Sequence, residues 1–107
     1  MINIDQWKAV EMKVGTIVTA EKMENADKLL RLTVDFGEAT PRQIVSGIAQ
    51  WYTPESLVGK QCPFIVNLEP RTIRGLESQG MILAAGLEEG IALLHPDKEV
   101  PRGVSLR

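Results

Sequence analysis

The segment "LLRLTVDFG", residues 29–37, carries the clearest signal for the fold. Its residues alternate between an apolar side, with Leu30, Leu32, Val34 and Phe36, and a polar side, with Arg31, Thr33 and Asp35. A period of two with one apolar side is typical of a β-strand that covers a core with one face only. Gly37 ends the pattern. The segment therefore predicts a half-buried strand.

Other strand-like segments lie on both sides of this one. They are "MKVGTIVTAEKM" (12–23), "RQIVSGI" (42–48), "QCPFIVNL" (61–68), "GMILAAG" (80–86) and "GIALLHP" (90–96). Gly15 indicates a bend or bulge in the first of them. Pro63 stands near the start of its strand, where a missing N–H is tolerated. The sequence therefore predicts an all-β protein with five or more short strands.

A short helix separates the third and fourth predicted strands. In "TPESLVGK", Thr53 is the predicted N-cap, Pro54 takes the first helical position and Gly59 follows the last turn. The opening "NIDQWKAVEM" is expected to hold another helical turn, capped by Asp5. Five strands with a helix between the third and fourth predict a five-stranded barrel of the oligonucleotide/oligosaccharide-binding (OB) type.

Length and composition predict one globular domain over residues 1–107. The longest near-apolar run, Met81 to Leu87, is too short to span a bilayer. Asp5, Lys8 and Glu11 stand where a signal peptide needs apolar residues. The single cysteine, Cys62, cannot form an internal disulfide. We therefore expect a soluble cytoplasmic protein.

No pattern in the sequence is typical of an active site. His95 is the single histidine and has no cysteine or clustered carboxylate at the spacing of metal ligands. Cys62 lies in an apolar strand and is interpreted as a small buried hydrophobic residue. Neither Ser46 nor Ser78 has a Gly-x-Ser-x-Gly context, and no glycine-rich phosphate loop follows a strand. We expect a protein that is not an enzyme and binds no metal or cofactor.

Basic and amide side chains collect at three places that converge on one surface of an OB barrel. The formal net charge of −2 does not by itself indicate a polyanionic partner. The three places are the start of strand 2, the start of strand 3 and the link between strands 4 and 5. Their candidate binding residues are Lys28, Arg31, Arg42, Asn67, Arg71, Arg74, Ser78 and Gln79. This grouping favours a nucleic-acid partner.

The aromatic residues indicate which kind of nucleic acid. Proteins that bind single strands stack bases on exposed aromatic rings. Phe36 is in phase with the core and Phe64 lies in an apolar strand, which leaves Trp51 and Tyr52. These two could equally pack over the helix. A surface of cations and amides without a row of aromatic rings favours recognition of the backbone and shape of folded RNA.

Four motifs in a fixed order add a family resemblance. The segments "ADKLLRLTVDFG", "RQIVSGI", "YTPESLVGK" and "NLEPRTIRGLESQGMILAA" together resemble the tRNA-binding domain at the C-terminus of bacterial and archaeal methionyl-tRNA synthetases. The same domain forms free-standing dimeric tRNA-binding proteins. The resemblance runs from about Lys8 to Val104. It implies an OB barrel over about residues 8–85 that binds tRNA by shape, and a homodimer formed by the N-terminus and residues 86–107.

The resemblance also implies which residues contact RNA. The matching positions are Lys28, Arg31, Arg42, Asn67, Arg71, Ser78, Gln79 and Met81, with Arg71, Ser78 and Asn67 foremost. Glu69 and Thr72 depart from the family, because many relatives have lysine at both places. Arg74 compensates in part for the lost positive charge. We therefore expect weak, salt-sensitive binding, with a log–log salt slope near −3 to −4 if about four phosphates are neutralised.

Three functions stay open at the level of sequence. The first is a dimeric tRNA-binding module, free-standing or attached to the catalytic body of methionyl-tRNA synthetase. The second is a chaperone-like homodimer, as in a related secretion-chaperone branch, which diverges in the "IVSGI" and "ESQGM" segments that this sequence keeps. The third is a protein-docking module that uses the acidic pair Glu88 and Glu89 within a synthetase complex.

Overall fold

The computed structural model describes all 107 residues, and most of its regular structure is β-strand. The elements are α1 (Ile4–Lys8), β1 (Met12–Met23), β2 (Ala26–Asp35), β3 (Arg42–Ser46), α2 (Pro54–Leu57), β4 (Gln61–Ile65), β5 (Arg71–Ile73), β6 (Leu76–Ser78), β7 (Met81–Ile82), β8 (Ala84–Leu87) and β9 (Gly90–Leu93). One antiparallel sheet has the strand order β3-β2-β1-β4-β7. Two separate hairpins, β5–β6 and β8–β9, complete the fold.

The predicted alternation in β2 places its apolar side on the core. Leu30, Leu32 and Val34 are fully buried. Leu32 is paired with Ile44 of β3, which is also fully buried. Full burial of such a side chain stabilises the fold by about 1.5–3 kcal/mol. The core therefore lies on one face of the sheet.

β1 pairs with two strands, β4 and β2. Its first half pairs with β4, from Met12 opposite Ile65 to Thr16 opposite Gln61, and its second half pairs with β2. The register shifts between Ile17 and Thr19 rather than at Gly15, where the sequence indicated a bend. Gly15 is required for another reason. A Cβ there would lie 2.5 Å from a methyl carbon of Val34, so only glycine lets β1 approach the core side chains.

Both predicted helices are present, but the first begins earlier than expected. α2 has Thr53 at the N-cap and Pro54 at its start, as predicted. α1 is capped by Asn3, not Asp5: the Asn3 side chain accepts a hydrogen bond from the Gln6 N–H, and the Gln6 side chain accepts one from the Asn3 N–H, both at 2.9 Å. This reciprocal pair satisfies two N–H groups at the helix start. Neither helix has the length and apolar character needed to cross a membrane.

The strands of the predicted five-stranded barrel do not close by pairing, because no strand pairing joins β3 to β7. β7 has two residues and pairs only with β4. The link between β6 and β7 covers the free edge of β3 instead. The N–H groups of Val45 and Gln43 donate to the side chains of Ser78 and Gln79 at 3.0 and 2.9 Å. The Gln79 N–H donates to the Gln43 carbonyl at 2.8 Å. The sheet is therefore open, with its edge bonded mainly by side chains.

The segment after β9 returns to the sheet. The Val14 N–H donates to the Val104 carbonyl at 3.0 Å, and the Gly103 N–H donates to the Val14 carbonyl at 2.7 Å. Gly103 has φ of +84°, and a Cβ there would overlap the carbonyl oxygen of Phe36. The end of the chain is thus bonded to β1 of its own domain.

Candidate nucleic-acid interface

A shallow cleft lies where the β5–β6 hairpin meets β3, and it is named here the hairpin cleft. Its walls are Val45, Leu68, Glu69, Arg71, Ile73, Ser78, Gly80 and Met81. Val45 neighbours the core residue Ile44 along β3, so its side chain points to the opposite, outer face. The cleft therefore brings together three of the predicted binding residues, Arg71, Ser78 and Met81, on the outside of the sheet.

Ser78 is in the cleft but works as an internal connector. Its side chain is buried, with 5% of the residue exposed. The hydroxyl accepts a hydrogen bond from the Val45 N–H at 3.0 Å and donates one to the Gly80 carbonyl at 3.1 Å. The single hydroxyl proton is therefore already used. In this structure Ser78 holds the hairpin on β3.

Two other predicted residues are also committed to internal bonds. The Gln79 side chain accepts from the Gln43 N–H at 2.9 Å. The Asn67 side chain accepts from the Glu11 N–H at 2.9 Å and donates to the Ala9 carbonyl at 2.7 Å. Asn67 thus ties the end of β4 to the connection between α1 and β1.

Arg42 closes one end of the core. Its guanidinium forms two hydrogen bonds with Glu38, at 2.8 and 2.9 Å, and donates to the carbonyls of Val66 and Gln79 at 2.7 and 3.2 Å. It also lies 5.6 Å from the centre of the Phe36 ring, within the range of a cation–π contact. The hydrogen bonds between the two side chains raise the pKa of Arg42 and lower the pKa of Glu38. This arginine is a structural cation.

Arg31 lies on the same face as the hairpin cleft. It is paired with Val45 in the β2–β3 ladder, and side chains of directly paired residues share a face. Its guanidinium bonds the Glu21 carboxylate, with Nε 2.6 Å from Oε1. The two side chains are 38% and 54% exposed. An ion pair this exposed contributes about 0–1 kcal/mol, so a phosphate can replace the carboxylate at small cost.

Arg71 and Arg74 belong to the β5–β6 hairpin. Arg71 is exposed and is paired with Ser78 across the hairpin. Arg74 is exposed at the tip, where Arg74 and Gly75 have φ of +52° and +82°. Two successive positive φ values are typical of a type I′ turn, which prefers Asn, Asp or Gly at its centre. The hairpin therefore presents two arginines, one of them at a position that disfavours arginine.

Lys28 and Arg42 do not converge. Lys28 is exposed at the start of β2, and Arg42 is paired with Val34 near the end of that strand. Val34 is six residue steps along the strand from Lys28, which corresponds to about 20 Å. Lys28 and Arg42 therefore lie near opposite ends of β2. The cations that share the cleft side are Arg31, Arg71 and Arg74.

The apolar walls of the cleft are functional candidates that the sequence did not predict. Val45, Leu68 and Ile73 were not among the candidate residues. One signal was present, since Ile44 and Val45 are consecutive apolar residues in β3. Consecutive apolar residues in a strand indicate that both of its faces are covered. The β5–β6 hairpin is the cover on the outer face.

Cys62, His95 and Tyr52 make contacts within the fold. Cys62 is fully buried, and burial raises the pKa of its thiol to about 11. Its sulfur lies 3.6 Å from His95 Nδ1, and that nitrogen is 2.7 Å from the Gln61 carbonyl oxygen, to which it donates. The Tyr52 hydroxyl accepts a hydrogen bond from the Leu93 N–H at 3.0 Å, so Tyr52 packs against β9. No three His, Cys, Asp or Glu side chains are grouped as metal ligands would be.

The chain is similar to known proteins along its whole length. A family model described as "Putative tRNA binding domain" matches residues 12–105. The chain is 53% identical over 107 residues to a protein of Methanothrix thermoacetophila named "Methionine--tRNA ligase". That match covers 100% of this chain and 16% of the ligase. The chain therefore spans about a sixth of the length of this relative.

Two solved structures share the fold. The MetRS related protein from Pyrococcus horikoshii superposes with a TM-score of 0.93 and 42% identity, covering 100% of this chain and 98% of that one. The chaperone CsaA from Bacillus anthracis str. Ames has a TM-score of 0.91 and 30% identity, covering 100% and 99%. Because the family model covers nearly the whole sequence, the chain belongs to the tRNA-binding domain family.

Proposed function

We propose that this chain is a non-catalytic module that binds tRNA in the cytoplasm, either free-standing or as the C-terminal domain of a methionyl-tRNA synthetase. One observation carries the proposal: in a domain of this family, Arg71 lines the hairpin cleft, Arg74 is exposed at the tip of the same hairpin, and the partly exposed Arg31 lies on the same face of the sheet. The open five-stranded sheet, with α2 between β3 and β4, is the scaffold that we assign to the OB type.

The predicted site residues divide into two groups in this proposal. Arg31, Arg71 and Arg74 donate to phosphates on the cleft side, Lys28 donates to a phosphate at the start of β2, and Met81 offers an apolar contact at the cleft. The other four predicted residues support the RNA contacts indirectly, because their side chains form hydrogen bonds within the domain. They are Arg42, Asn67, Ser78 and Gln79. Their part is to hold the hairpin and the segment before it in place.

We further propose that the module is a homodimer joined through its N-terminus and its C-terminal segment. α1 has no buried residue, and Ile4 and Trp7 are 62% and 36% exposed. They line an apolar groove together with Val10 and Leu106. A contiguous exposed apolar patch favours an association surface, and an unpacked helix of five residues is marginal alone. Two linked tRNA sites would raise the tRNA concentration near a synthetase body through avidity.

A gel-shift titration with unfractionated tRNA at several salt concentrations tests the tRNA proposal. We expect binding to tRNA and not to a short unstructured RNA of equal concentration. Arg71→Ala should weaken binding about threefold to tenfold and make the salt slope about one unit shallower, because one phosphate contact is lost. Lys60→Ala, which removes an exposed cation after α2, away from the hairpin cleft and from the proposed dimer segments, is the matched control and should leave binding unchanged.

A chaperone-like homodimer is the second candidate. The likeness to the chaperone CsaA and the apolar groove favour it. Absence of tRNA binding at low salt, with suppression of the aggregation of an unfolded test protein, would support this function instead of tRNA binding. This outcome would not contradict the dimer proposal. Sedimentation of the unmodified chain and of the Trp7→Glu variant tests the dimer separately.

A further inference from the structure

The polar groups of the hairpin cleft have an unusual combination of charges. Arg71 and Glu69 both line it, yet neither takes part in any of the three ion pairs of the chain. Neither side chain forms a hydrogen bond within the chain, and both residues are exposed. Because the Ser78 hydroxyl is already used, one guanidinium and one carboxylate are the free polar side chains of the cleft. A phosphate alone would be attracted by one and repelled by the other.

The rest of the cleft is apolar. Val45, Leu68, Ile73 and Met81 form its walls, and Leu68 and Met81 are 47% and 43% exposed. Large apolar side chains left at a polar surface favour a ligand with a flat apolar face. A ligand that also carries an anion near a row of N–H donors would satisfy both charges of the cleft. A nucleotide has all three features, since its base has apolar faces and a donor edge and its phosphate is an anion.

We propose that the hairpin cleft binds one unpaired guanosine nucleotide of the bound RNA. This inference rests on the proposed function and adds the chemical identity of one contact. Arg71 donates to the phosphate, the base lies against Leu68 and Met81, and the Glu69 carboxylate accepts from the base. Guanine is the base that fits a carboxylate best, because its N1–H and N2 amino groups are adjacent donors that both carboxylate oxygens can accept. Unpaired bases read on this edge are the usual sequence-specific contacts in RNA.

In this proposal Glu69 increases the affinity for tRNA, whereas a carboxylate that only repelled phosphates would decrease it. Glu69→Gln removes the negative charge and leaves the shape, but an amide has one acceptor oxygen in place of two. If Glu69 accepts from guanine, this change weakens tRNA binding by about tenfold, as expected for loss of a charge-assisted hydrogen bond. If Glu69 only repels phosphates, the same change strengthens binding. Glu77→Gln is the matched control, because Glu77 is an exposed carboxylate on β6 outside the cleft, and it should not weaken binding.

A second measurement reads the cleft directly with a small probe. Methyl signals of Leu68 and Met81 are followed by NMR during titration with guanosine monophosphate and inosine monophosphate, which lacks the N2 amino group. We expect larger shifts and tighter binding for the guanosine probe, and loss of that preference in Glu69→Gln. Equal responses to the two probes, or no response to either, would overturn the inference, as would stronger tRNA binding by Glu69→Gln.

The two proposals fail in different ways. If the unmodified chain does not bind tRNA at low salt, the proposed function is wrong, whatever the nucleotide probes show. If the chain binds tRNA while Glu69→Gln binds as well as or better than the unmodified chain, tRNA binding stands and the guanosine site is wrong. Thermal melting of each variant shows whether the fold is kept.

Discussion

Replacing Arg74 by asparagine should make the domain more stable and a poorer ligand for tRNA. Arg74 has φ of +52° at the tip of the β5–β6 hairpin. The left-handed region costs an ordinary L-residue about 1–2 kcal/mol, and asparagine pays much less of that cost. We expect Arg74→Asn to raise the free energy of unfolding by about 0.5–1 kcal/mol. For a domain of this size the melting temperature should rise by roughly 2–6 °C.

The same change removes an exposed cation from the proposed RNA-binding side. Binding to tRNA should weaken about threefold to tenfold, and the log–log salt slope should become shallower by about 0.9. Arg74→Lys is the control that keeps the charge and most of the backbone cost, so both its melting temperature and its binding should stay near those of the unmodified chain. Calorimetric melting and salt-dependent gel shifts give the two readouts.

A fall in melting temperature for Arg74→Asn would refute the argument from backbone strain. Unchanged tRNA binding would refute the idea that an unfavourable arginine is kept at the tip for its guanidinium. Strained residues at functional sites are expected to show this opposition between stability and activity.

Four further outcomes follow from the structure. Ser78→Ala removes a buried hydrogen-bond partner of Val45 and should lower the free energy of unfolding by about 1–3 kcal/mol, measured by urea unfolding. Gly103→Ala should destabilise the fold by more than about 1 kcal/mol, because the new Cβ overlaps a backbone carbonyl at positive φ. Glu38 has a pKa lowered by Arg42, so its contribution to stability is full above the ordinary value of 4.5 and is lost as the pH falls through the lower folded value. Urea unfolding between pH 7 and pH 3 should therefore show the gap between the unmodified chain and Glu38→Gln closing on acidification. Arg42→Ala should lower stability and tRNA binding together, whereas a phosphate contact alone would lower only binding.

Much of the sheet could be predicted because its residues repeat a simple pattern. The alternation of Leu30, Leu32 and Val34 identified β2 and its buried side, and β1 has the predicted bounds of residues 12–23. α2 was found from Thr53 and Pro54, whose preferences are local. These elements depend on interactions between near neighbours or on burial of one face, and both leave a trace in the sequence.

The closure of the sheet and the state of the site residues depend on contacts between distant residues. β5 and β6 have three residues each, too few to show a period of two, so the sequence predicts only a link between strands at this place. Whether Ser78 points to RNA or to the Val45 N–H is decided by the position of β3, 33 residues away. The same holds for Asn67, whose partners lie in the segment between α1 and β1. Residue type indicates polar recognition, but only the fold determines which partner is bound.

The attachment of the β5–β6 hairpin has a consequence for how such domains diversify. One main-chain hydrogen bond and three hydrogen bonds through the side chains of Gln43, Ser78 and Gln79 fasten the hairpin and the link after it to β3. No strand pairing joins the hairpin to β3. Residues 68–77 can therefore change in length and composition while the frame beneath them keeps its geometry. A new specificity could be grafted by exchanging this short insert alone, provided that the serine and glutamine that anchor it are retained.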